Sequence, residues 1–355
     1  MFSGRRCALR PLVAYKAASR HCEEKKMIYD IATIALGAVG NEILSHSKRA
    51  LRAVGQKYSC DFRFTPCLTS EEISAITNPM TAKNAIDKAD KAHAVLICSA
   101  DKNPSGAVRG IIDSLGVYAY LRHTQSFDKN VKSDIVTVCD ADYGVRRNES
   151  GFRNGEKFGR EAFEIQCYGE LEIERVARIA YELASERAHK LTLADEANVF
   201  ATSRLWRKIV TDINEDYPDV RLNVAYVRDV AERLVLEPSS FDVLLAPRAF
   251  ADILVSIASS VSGNSSNLAA AYLKDTPQGV YEAVCTPDVF GRVCNPVGAI
   301  LTCACMLRLS FDMAEAADSL ENAVRQTLSD GCLPIDLGGE LSPDEITEAI
   351  LSRLQ

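Results

Sequence analysis

Arginine, aspartate and asparagine side chains at three positions are candidates for binding chemistry in this sequence. Arg122 could hold a carboxylate, because a guanidinium presents a planar fork of donors, or it could pair with a neighbouring acid. Asp252 could be a metal ligand, or it could cap a helix or form a salt bridge beside Arg248. Asn198 could end a strand and satisfy the backbone of a turn. These residue types alone do not identify a reaction.

Twelve cysteines are many for a chain of this size, and they lie scattered through apolar segments. This distribution favours reduced, buried thiols over disulfides. The close pair Cys303 and Cys305 lies in an apolar run of helical character, which favours core packing over a zinc site.

The composition is that of a globular protein, since 47% of the 355 residues are hydrophobic and 25% are charged. This length suits two domains or one large α/β unit. A formal net charge of -7 argues against a nucleic-acid partner, because affinity for a phosphate backbone comes mainly from clustered Lys and Arg. The apolar run at 296–309 is too short to cross a bilayer and contains Arg308, so we predict no transmembrane segment.

The first 22 residues combine five cationic side chains with no acidic one before Glu23. This composition predicts a mitochondrial presequence within residues 1–26, although a basic tail or a docking arm would have the same character. We therefore expect a mitochondrial protein.

Short apolar runs alternate with helical patterns along the chain, which indicates an α/β fold. A turn at Gly37 and Gly40 separates the first strand from the first helix. The predicted strands are 28–36, 94–98, 135–138, 191–193, 222–227 and 241–245. The predicted helices are 41–57, 169–190, 203–214 and 229–236, of which the second has a long amphipathic pattern.

Several short sequence motifs occur one after another along the chain. The longest are GELEIERVARIAYELA at 169–184 and DEANV at 195–199. The shorter motifs are AYLR at 119–122, LW at 205–206, YPDV at 217–220, FDV at 241–243, FADIL at 250–254, NP at 295–296 and GCLPIDL at 331–337. In these motifs the chain resembles the isocitrate/isopropylmalate dehydrogenase family from about Ile28 to the C-terminus.

The resemblance implies a two-domain α/β subunit whose first domain is discontinuous. The parts of the first domain are expected at 27–120 and 271–355, and a central second domain at 121–270 is expected to dimerise. The active site would lie between the domains and across a homo- or heterodimer. Enzymes of the family oxidise a malate-type 2-hydroxy acid with NAD or NADP and a divalent metal, and then release carbon dioxide.

The charged positions that the resemblance assigns to catalysis carry other residues here. The family's proton-transfer lysine corresponds to Glu196, whose negative charge would oppose an anionic substrate. Two of the three metal-binding aspartates correspond to Arg228 and Ser256, which leaves Asp252 as the remaining ligand. In the family the lysine and the first aspartate extend across the dimer. We therefore expect Glu196 to pair with the partner's Arg122, and Arg228 with the partner's Asp252.

Most of the family's substrate-binding arginines are also replaced in this chain. Of the three arginines that hold substrate carboxylates in the family, Arg122 remains, and the other two correspond to Ile112 and Cys139. The resemblance therefore leaves Arg122 and Asn198 as candidates for substrate binding.

Proton relay and cofactor binding depend on two further segments. The relay tyrosine of the family falls at or near Arg146, with Tyr143 close by. The cofactor loop is represented by VCTPD at 284–288, without the family's His and Gly. No cofactor-binding residue is therefore predicted, and NAD and Mg²⁺ are implied by the family alone.

These changes affect acid-base chemistry, metal, substrate and coenzyme together, and the loss of one general acid alone costs about 10²–10⁴ in rate. We therefore expect a non-catalytic pseudoenzyme that acts as a structural subunit of a mitochondrial complex, such as a respiratory or ATP synthase complex or the mitoribosome. The first alternative is a regulatory subunit of mitochondrial NAD-dependent isocitrate dehydrogenase. The second is an active NAD-dependent 2-hydroxy-acid oxidative decarboxylase with an altered site.

Overall fold

The structure is a computed structural model, and it describes residues 26–68, 79–100, 106–128, 130–155, 158–263, 268–284 and 294–354. The presequence or docking arm predicted at 1–26 lies outside the described residues except for Lys26. Most of the cofactor loop predicted at 284–288 also lies outside them.

Strands and helices alternate through the described residues, which confirms the predicted α/β class. The strands are β1 (Met27–Ala35), β2 (Cys60–Leu68), β3 (Ala94–Ser99), β4 (Ala119–Gln125), β5 (Asp134–Asp140), β6 (Val145–Gly155), β7 (Gly159–Gln166), β8 (Lys190–Asp195), β9 (Arg221–Tyr226), β10 (Val243–Leu245), β11 (Ala269–Leu273) and β12 (Val280–Val284). The helices are α1 (Gly37–Lys57), α2 (Pro79–Asp90), α3 (Gly106–Ser114), α4 (Glu170–Ser185), α5 (Ala201–Ile213), α6 (Val227–Leu236), α7 (Arg248–Val261), α8 (Val297–Leu309), α9 (Ala314–Ser329) and α10 (Pro343–Leu354).

Unit 1 is the first of two compact units and is discontinuous in sequence. It comprises the described residues up to 117, from 125 to 131 and from 262 onward. Its strands lie in the order β2-β1-β3-β12-β11, with parallel pairs except for the antiparallel pair of β11 and β12. Helix α8 packs against α1 and α9, and every residue from Val297 to Leu307 is buried. A helix that is apolar all round forms the centre of a core, and α8 has this place in unit 1.

Unit 2 comprises residues 118–124 and 132–261. Its strands lie in the order β4-β5-β10-β8-β9, and β5, β10, β8 and β9 are mutually parallel. Strands β6 and β7 form a separate antiparallel hairpin. The domain boundaries predicted at 120 and 270 remain predictions.

The first helix begins earlier than predicted, at Gly37 instead of 41, because the glycine turn belongs to its first turn. Gly40 lies against β3, and a Cβ at this position would stand 2.4 Å from the carbonyl oxygen of Cys98. Only glycine allows this close approach of α1 to the sheet.

The described cysteines are thiols with one exception. Eight are free, and burial raises the pKa of Cys303 and of Cys305 to about 12. The sulfur of Cys294 is in a disulfide, so the prediction of reduced thiols fails there. The described residues contain no cluster of metal-binding side chains, and none of their helices is long and apolar enough to cross a membrane.

Candidate functional site

The carboxyl ends of four parallel strands bring the candidate site residues to one edge of the sheet in unit 2. Asp140 ends β5, Asp195 ends β8 and Tyr226 ends β9, while Arg248 begins α7 shortly after β10. In α/β proteins, ligands bind outside the carboxyl ends of parallel strands. This edge is therefore the place where the functional residues of unit 2 are expected.

Asp252 forms hydrogen bonds with one cation and one phenol. Arg248, one helical turn earlier in α7, donates its Nε to both carboxylate oxygens of Asp252 at 3.0 Å. Tyr143 donates its hydroxyl to Oδ2 of Asp252 at 2.6 Å. The ion pair with Arg248 proposed from the sequence is therefore present. Tyr143, which the sequence placed near the relay position, is a third member whose contact with Asp252 was not predicted.

Tyr143 has an unusual backbone conformation. Its φ of 64° lies in the left-handed region, which a bulky residue rarely adopts. The carbonyl oxygen of Tyr143 accepts a hydrogen bond of 3.1 Å from Nε2 of Gln166. Burial, and then the hydrogen bond to Asp252, raise the pKa of the Tyr143 phenol. The phenol therefore stays protonated and donates a hydrogen bond to the carboxylate. Residues with such backbone conformations often lie at functional sites.

Asp140 connects this cluster to the interior. Its Oδ1 accepts hydrogen bonds from the backbone N–H of Arg248 at 2.7 Å and from the hydroxyl of Tyr168 at 3.0 Å. Its Oδ2 is buried and has no hydrogen-bond partner within the described parts of the chain. Burial raises the pKa of Asp140 to about 6. The carboxylate holds the first turn of α7, whose backbone N–H groups favour a negative charge.

Arg122 belongs to the same cluster through Tyr120. Its Nη1 donates to the Tyr120 hydroxyl at 2.6 Å. The guanidinium of Arg248 lies 3.8 Å from the centroid of the Tyr120 ring, and that of Arg122 lies 5.7 Å from it. Two cations therefore share one aromatic ring, an arrangement that cation–π attraction stabilises.

Glu196 and Arg228 form an ion pair within the chain, with 3.7 Å between Oε2 and Nη1. The side chain of Glu196 is 16% exposed and that of Arg228 is 60% exposed. Arg228 also lies over the ring of Tyr226, 4.7 Å from its centroid. The ion pair between Glu196 and Arg228 within one chain therefore competes with the expected pairing of these residues with the partner's Arg122 and the partner's Asp252.

Asn198 is exposed in the turn after β8 and lines a pocket of about 520 Å³. We call this cavity the α5 pocket, because one face of α5 forms most of its wall. Its other lining residues are Ala197, Arg204, Arg207, Lys208, Thr211, Asp212 and Tyr226. Of these lining residues, the sequence indicated only Asn198 as a candidate for binding.

The remaining predicted positions carry structural side chains. Ser256 donates its hydroxyl to the Asp252 carbonyl oxygen at 2.8 Å, within α7. Ile112 is buried in unit 1, and Cys139 is buried in unit 2, with its Sγ 3.6 Å from the carbonyl oxygen of Tyr120. The side chain of Arg146 lies outside the described residues, so its correspondence to the relay tyrosine remains a prediction.

The chain's own donor set does not fit a magnesium ion. Both oxygens of Asp252 bond to Arg248, and Oδ2 also accepts from Tyr143. Magnesium takes six oxygen ligands and usually one or two carboxylates from the protein. No three potential ligands cluster among the described residues, so no chemical step is assigned to a metal here.

The comparison with known proteins agrees with the architecture of both units. The isocitrate/isopropylmalate dehydrogenase family matches residues 30–350. The 3-isopropylmalate dehydrogenase of Clostridium acetobutylicum is 34% identical over 333 residues, which cover 85% of this chain and 92% of that protein. That of Aquifex aeolicus is 32% identical over 356 residues, covering 92% of this chain and 97% of that protein.

A solved structure shows the same fold at lower sequence identity. The isocitrate dehydrogenase from Methylococcus capsulatus has a TM-score of 0.78 and 23% identity, and it covers 92% of this chain and 99% of that one. The molecule thus has the α/β fold of this isocitrate dehydrogenase. The chain belongs to the isocitrate/isopropylmalate dehydrogenase family.

The expectation of a structural pseudoenzyme subunit is wrong. Relatives that are 34% and 31% identical, and that match over 92% and 99% of their own length, are named as dehydrogenases. The expectation depended on single positions, whereas the similarity covers the whole enzyme architecture. Changes such as Glu196 alter the charge of the site and leave this architecture intact.

Proposed function

We propose that the chain is a regulatory subunit of an NAD-dependent decarboxylating dehydrogenase of the isocitrate dehydrogenase type. The ion pair of Glu196 with Arg228 carries this proposal. It stands at the two positions where the resemblance places a proton-transfer lysine and a metal-binding aspartate. The pair neutralises itself, so this half of the site offers neither a proton donor of lysine type nor a metal ligand.

The other half of the site supports ligand binding in such a subunit. Arg122 and Arg248 lie on the Tyr120 ring at the carboxyl edge of the sheet. Arginine recognises carboxylates through paired hydrogen bonds, so a 2-hydroxy di- or tricarboxylate is the ligand class that suits this cluster. Binding of such a ligand would change the assembled dehydrogenase, and this chain would not convert the ligand to product.

Assembly into an oligomer is part of the proposal. Four large apolar side chains of the β6–β7 hairpin are exposed, namely Phe152, Phe158, Phe163 and Ile165. A two-stranded hairpin is marginal by itself and gains stability when another chain covers it. We propose that a second family subunit, identical or different, covers this hairpin.

Mitochondrial residence also remains a proposal. It is supported by the five cations and the absence of acids in the first 22 residues. Imaging of the full-length chain with a C-terminal fluorescent tag tests it, and a purely cytosolic signal would contradict it.

Reconstitution tests the regulatory role. The full-length chain is combined with a catalytic isocitrate dehydrogenase subunit that co-purifies with it from its own cells, and KM for isocitrate is measured with and without the chain. We expect the chain to lower KM, and we expect Arg122→Met to remove this effect because the carboxylate loses its guanidinium. Arg52→Met, an exposed arginine of α1, is the matched control. An absent catalytic subunit, or an unchanged KM, contradicts the proposal.

A second candidate function is an active 2-hydroxy-acid oxidative decarboxylase. The 2.6 Å hydrogen bond between Tyr143 and Asp252 favours it, because it places a phenolic proton at the edge where ligands bind. The isolated chain should then reduce NAD, and Tyr143→Phe should lower kcat by about 10²–10⁴ if the phenol transfers a proton. Tyr58→Phe in unit 1 is the control. Absence of turnover in the isolated wild-type chain removes this candidate.

A further inference from the structure

The α5 pocket lies within unit 2 and has the dimensions of a small-molecule site. Its volume of about 520 Å³ falls in the range of about 300–1,000 Å³ that ligand pockets occupy. Arg207 and Lys208 each lie three or four residues from both Arg204 and Thr211, so the four residues share one face of α5. Three of these four side chains are cationic.

Arg207 is held rigidly at the base of this face. Its Nε and Nη2 donate to the two carboxylate oxygens of Asp195 at 2.9 and 2.6 Å. The Asp195 side chain is fully buried, and its Oδ1 also accepts the backbone N–H of Ala197. The Arg207 guanidinium lies 5.3 Å from the centroid of the Tyr226 ring. A cation fixed by a buried carboxylate is positioned before any ligand arrives.

Arg204 is oriented without a carboxylate. Its Nη1 donates to the carbonyl oxygens of Ala197 at 3.1 Å and Val199 at 3.5 Å. Within the described parts of the chain it forms no ion pair. Its charge is therefore not neutralised by an acid, and it lines the pocket.

The lining of the pocket carries three cations and one carboxylate, Asp212. Lys208 pairs with Asp212 at 2.5 Å, and both side chains are more than half exposed. Outside the lining, Asp195 pairs with Arg207 and the charge of Glu170 acts on Lys208. An anion would bond to Arg204 directly and could compete with Asp212 for Lys208.

We propose that the α5 pocket binds a small polyanionic metabolite that carries phosphate groups or several carboxylates. Arg204 and Arg207 present guanidinium donors to it, while Asn198 and Thr211 offer an amide and a hydroxyl at the rim. Arg122, Tyr143 and Asp252 do not line the pocket, although it includes Asn198, the other candidate for substrate binding. That the metabolite acts as an effector rests on the regulatory function proposed above.

Titration calorimetry of the full-length chain tests the pocket. Pyrophosphate and tricarballylate are titrated separately at constant ionic strength, so that a phosphate and a tricarboxylate ligand are distinguished. We expect saturable binding of at least one of them. Arg204→Gln should weaken it by about tenfold or more, since loss of a charge-assisted hydrogen bond has effects of this size. Lys190→Gln, which removes an exposed lysine at the start of β8, should leave the affinity unchanged.

Thr211→Glu provides a second variant, because it places a carboxylate in the pocket at an exposed position of α5. It should weaken binding as Arg204→Gln does. Failure of both probes to bind, or equal affinities of wild type and both pocket variants, overturns the proposal.

Activity measurements separate this inference from the proposed function. If the anion binds but does not change KM or kcat of the reconstituted dehydrogenase, the result supports the pocket as a binding site and excludes its role as an effector site. If the chain regulates the dehydrogenase equally well with Arg204→Gln, the regulatory function stands and the pocket is not its effector site.

Discussion

Asp140 places a carboxylate in the interior of unit 2, and one of its oxygens has no hydrogen-bond partner among the described residues. Burial is the main reason that its pKa is about 6 in the folded chain instead of 3.8. Between these two values the folded chain binds more protons at this residue than the unfolded chain does. The contribution of Asp140 to stability is therefore fully present below pH 3.8 and is lost as pH rises to about 6.

We predict that Asp140→Asn removes this pH dependence. The rise in pKa corresponds to about 3 kcal/mol, so the unfolding free energy of wild type relative to the variant should fall by about that amount from pH 4 to pH 7. Urea unfolding of both proteins across this range measures the difference. A difference that stays constant with pH would show that the pKa of Asp140 is the same in the folded and the unfolded chain.

The ion pair of Glu196 and Arg228 should contribute little to the stability of a single chain. The separation is 3.7 Å, and Arg228 is 60% exposed, so solvent screens the pair from the Arg228 side although Glu196 is only 16% exposed. Glu196→Gln should therefore change the unfolding free energy of the monomer by under about 1 kcal/mol.

If Glu196 instead pairs with the partner's Arg122, the same variant should weaken dimerisation. Sedimentation at several concentrations separates these outcomes. An unchanged dimer together with an unchanged monomer stability would leave the in-chain pair as the complete account of Glu196.

The β6–β7 hairpin is the element on which the proposed assembly depends. Phe163 and Ile165 are exposed on it in the single chain. We predict that Phe163→Ser shifts the oligomer towards monomer and leaves the circular dichroism spectrum unchanged, because the side chain contributes little to the fold of its own chain. Ile335→Ser, at a similarly exposed apolar residue of unit 1, should leave the mass unchanged. Light scattering measures both.

The contact of α1 with β3 gives a second prediction for an element. Gly40→Ala would place a methyl group 2.4 Å from the Cys98 carbonyl oxygen, so α1 must shift away from the sheet. The cost should be about 1–3 kcal/mol in unfolding free energy. Gly110→Ala in α3 meets open space and should be neutral or stabilising by up to about 1 kcal/mol. Equal effects of the two variants in thermal unfolding would contradict the steric explanation.

The elements with strong periodicity could be predicted from the sequence, and the hairpin could not. The amphipathic pattern at 169–190 indicates α4, because its apolar spacing follows the helical repeat. Strands β6 and β7 carry charged and apolar residues exposed on both faces, so they lack the alternation that marks a half-buried strand. In the proposed assembly their apolar side chains would serve the contact with another subunit, which a single sequence does not reveal.

The residue types of the site and its one local ion pair were predictable from the sequence, but its long-range pairings were not. Asp252 and Arg248 are four residues apart in one helix, so their ion pair is a local event. Tyr143 is 109 residues from Asp252 and joins it through the packing of β5 against α7. The pairing of Glu196 with Arg228 likewise depends on the neighbouring positions of β8 and β9.

At the scale of the whole molecule, unit 1 is built from both ends of the chain and unit 2 from its middle. Helix α8, the centre of unit 1, lies on the C-terminal side of unit 2 in sequence. We predict that a chain ending at residue 261 protects 132–261 from limited proteolysis but not 26–117. Protection of both regions in this fragment would mean that the N-terminal part folds without α8.

The buried position of α8 also has a consequence for synthesis. Strands β1 and β3 leave the ribosome long before α8 exists, since about 180 residues separate Val117, the end of the N-terminal part of unit 1, from Val297 at the start of α8. At roughly 5–20 residues per second this interval is on the order of 10–40 s. During that time the apolar faces that α8 will cover are open to solvent and to other nascent chains. We therefore expect the newborn N-terminal segment to depend on chaperones, although the finished protein buries its apolar residues Ile43, Leu51 and Leu96.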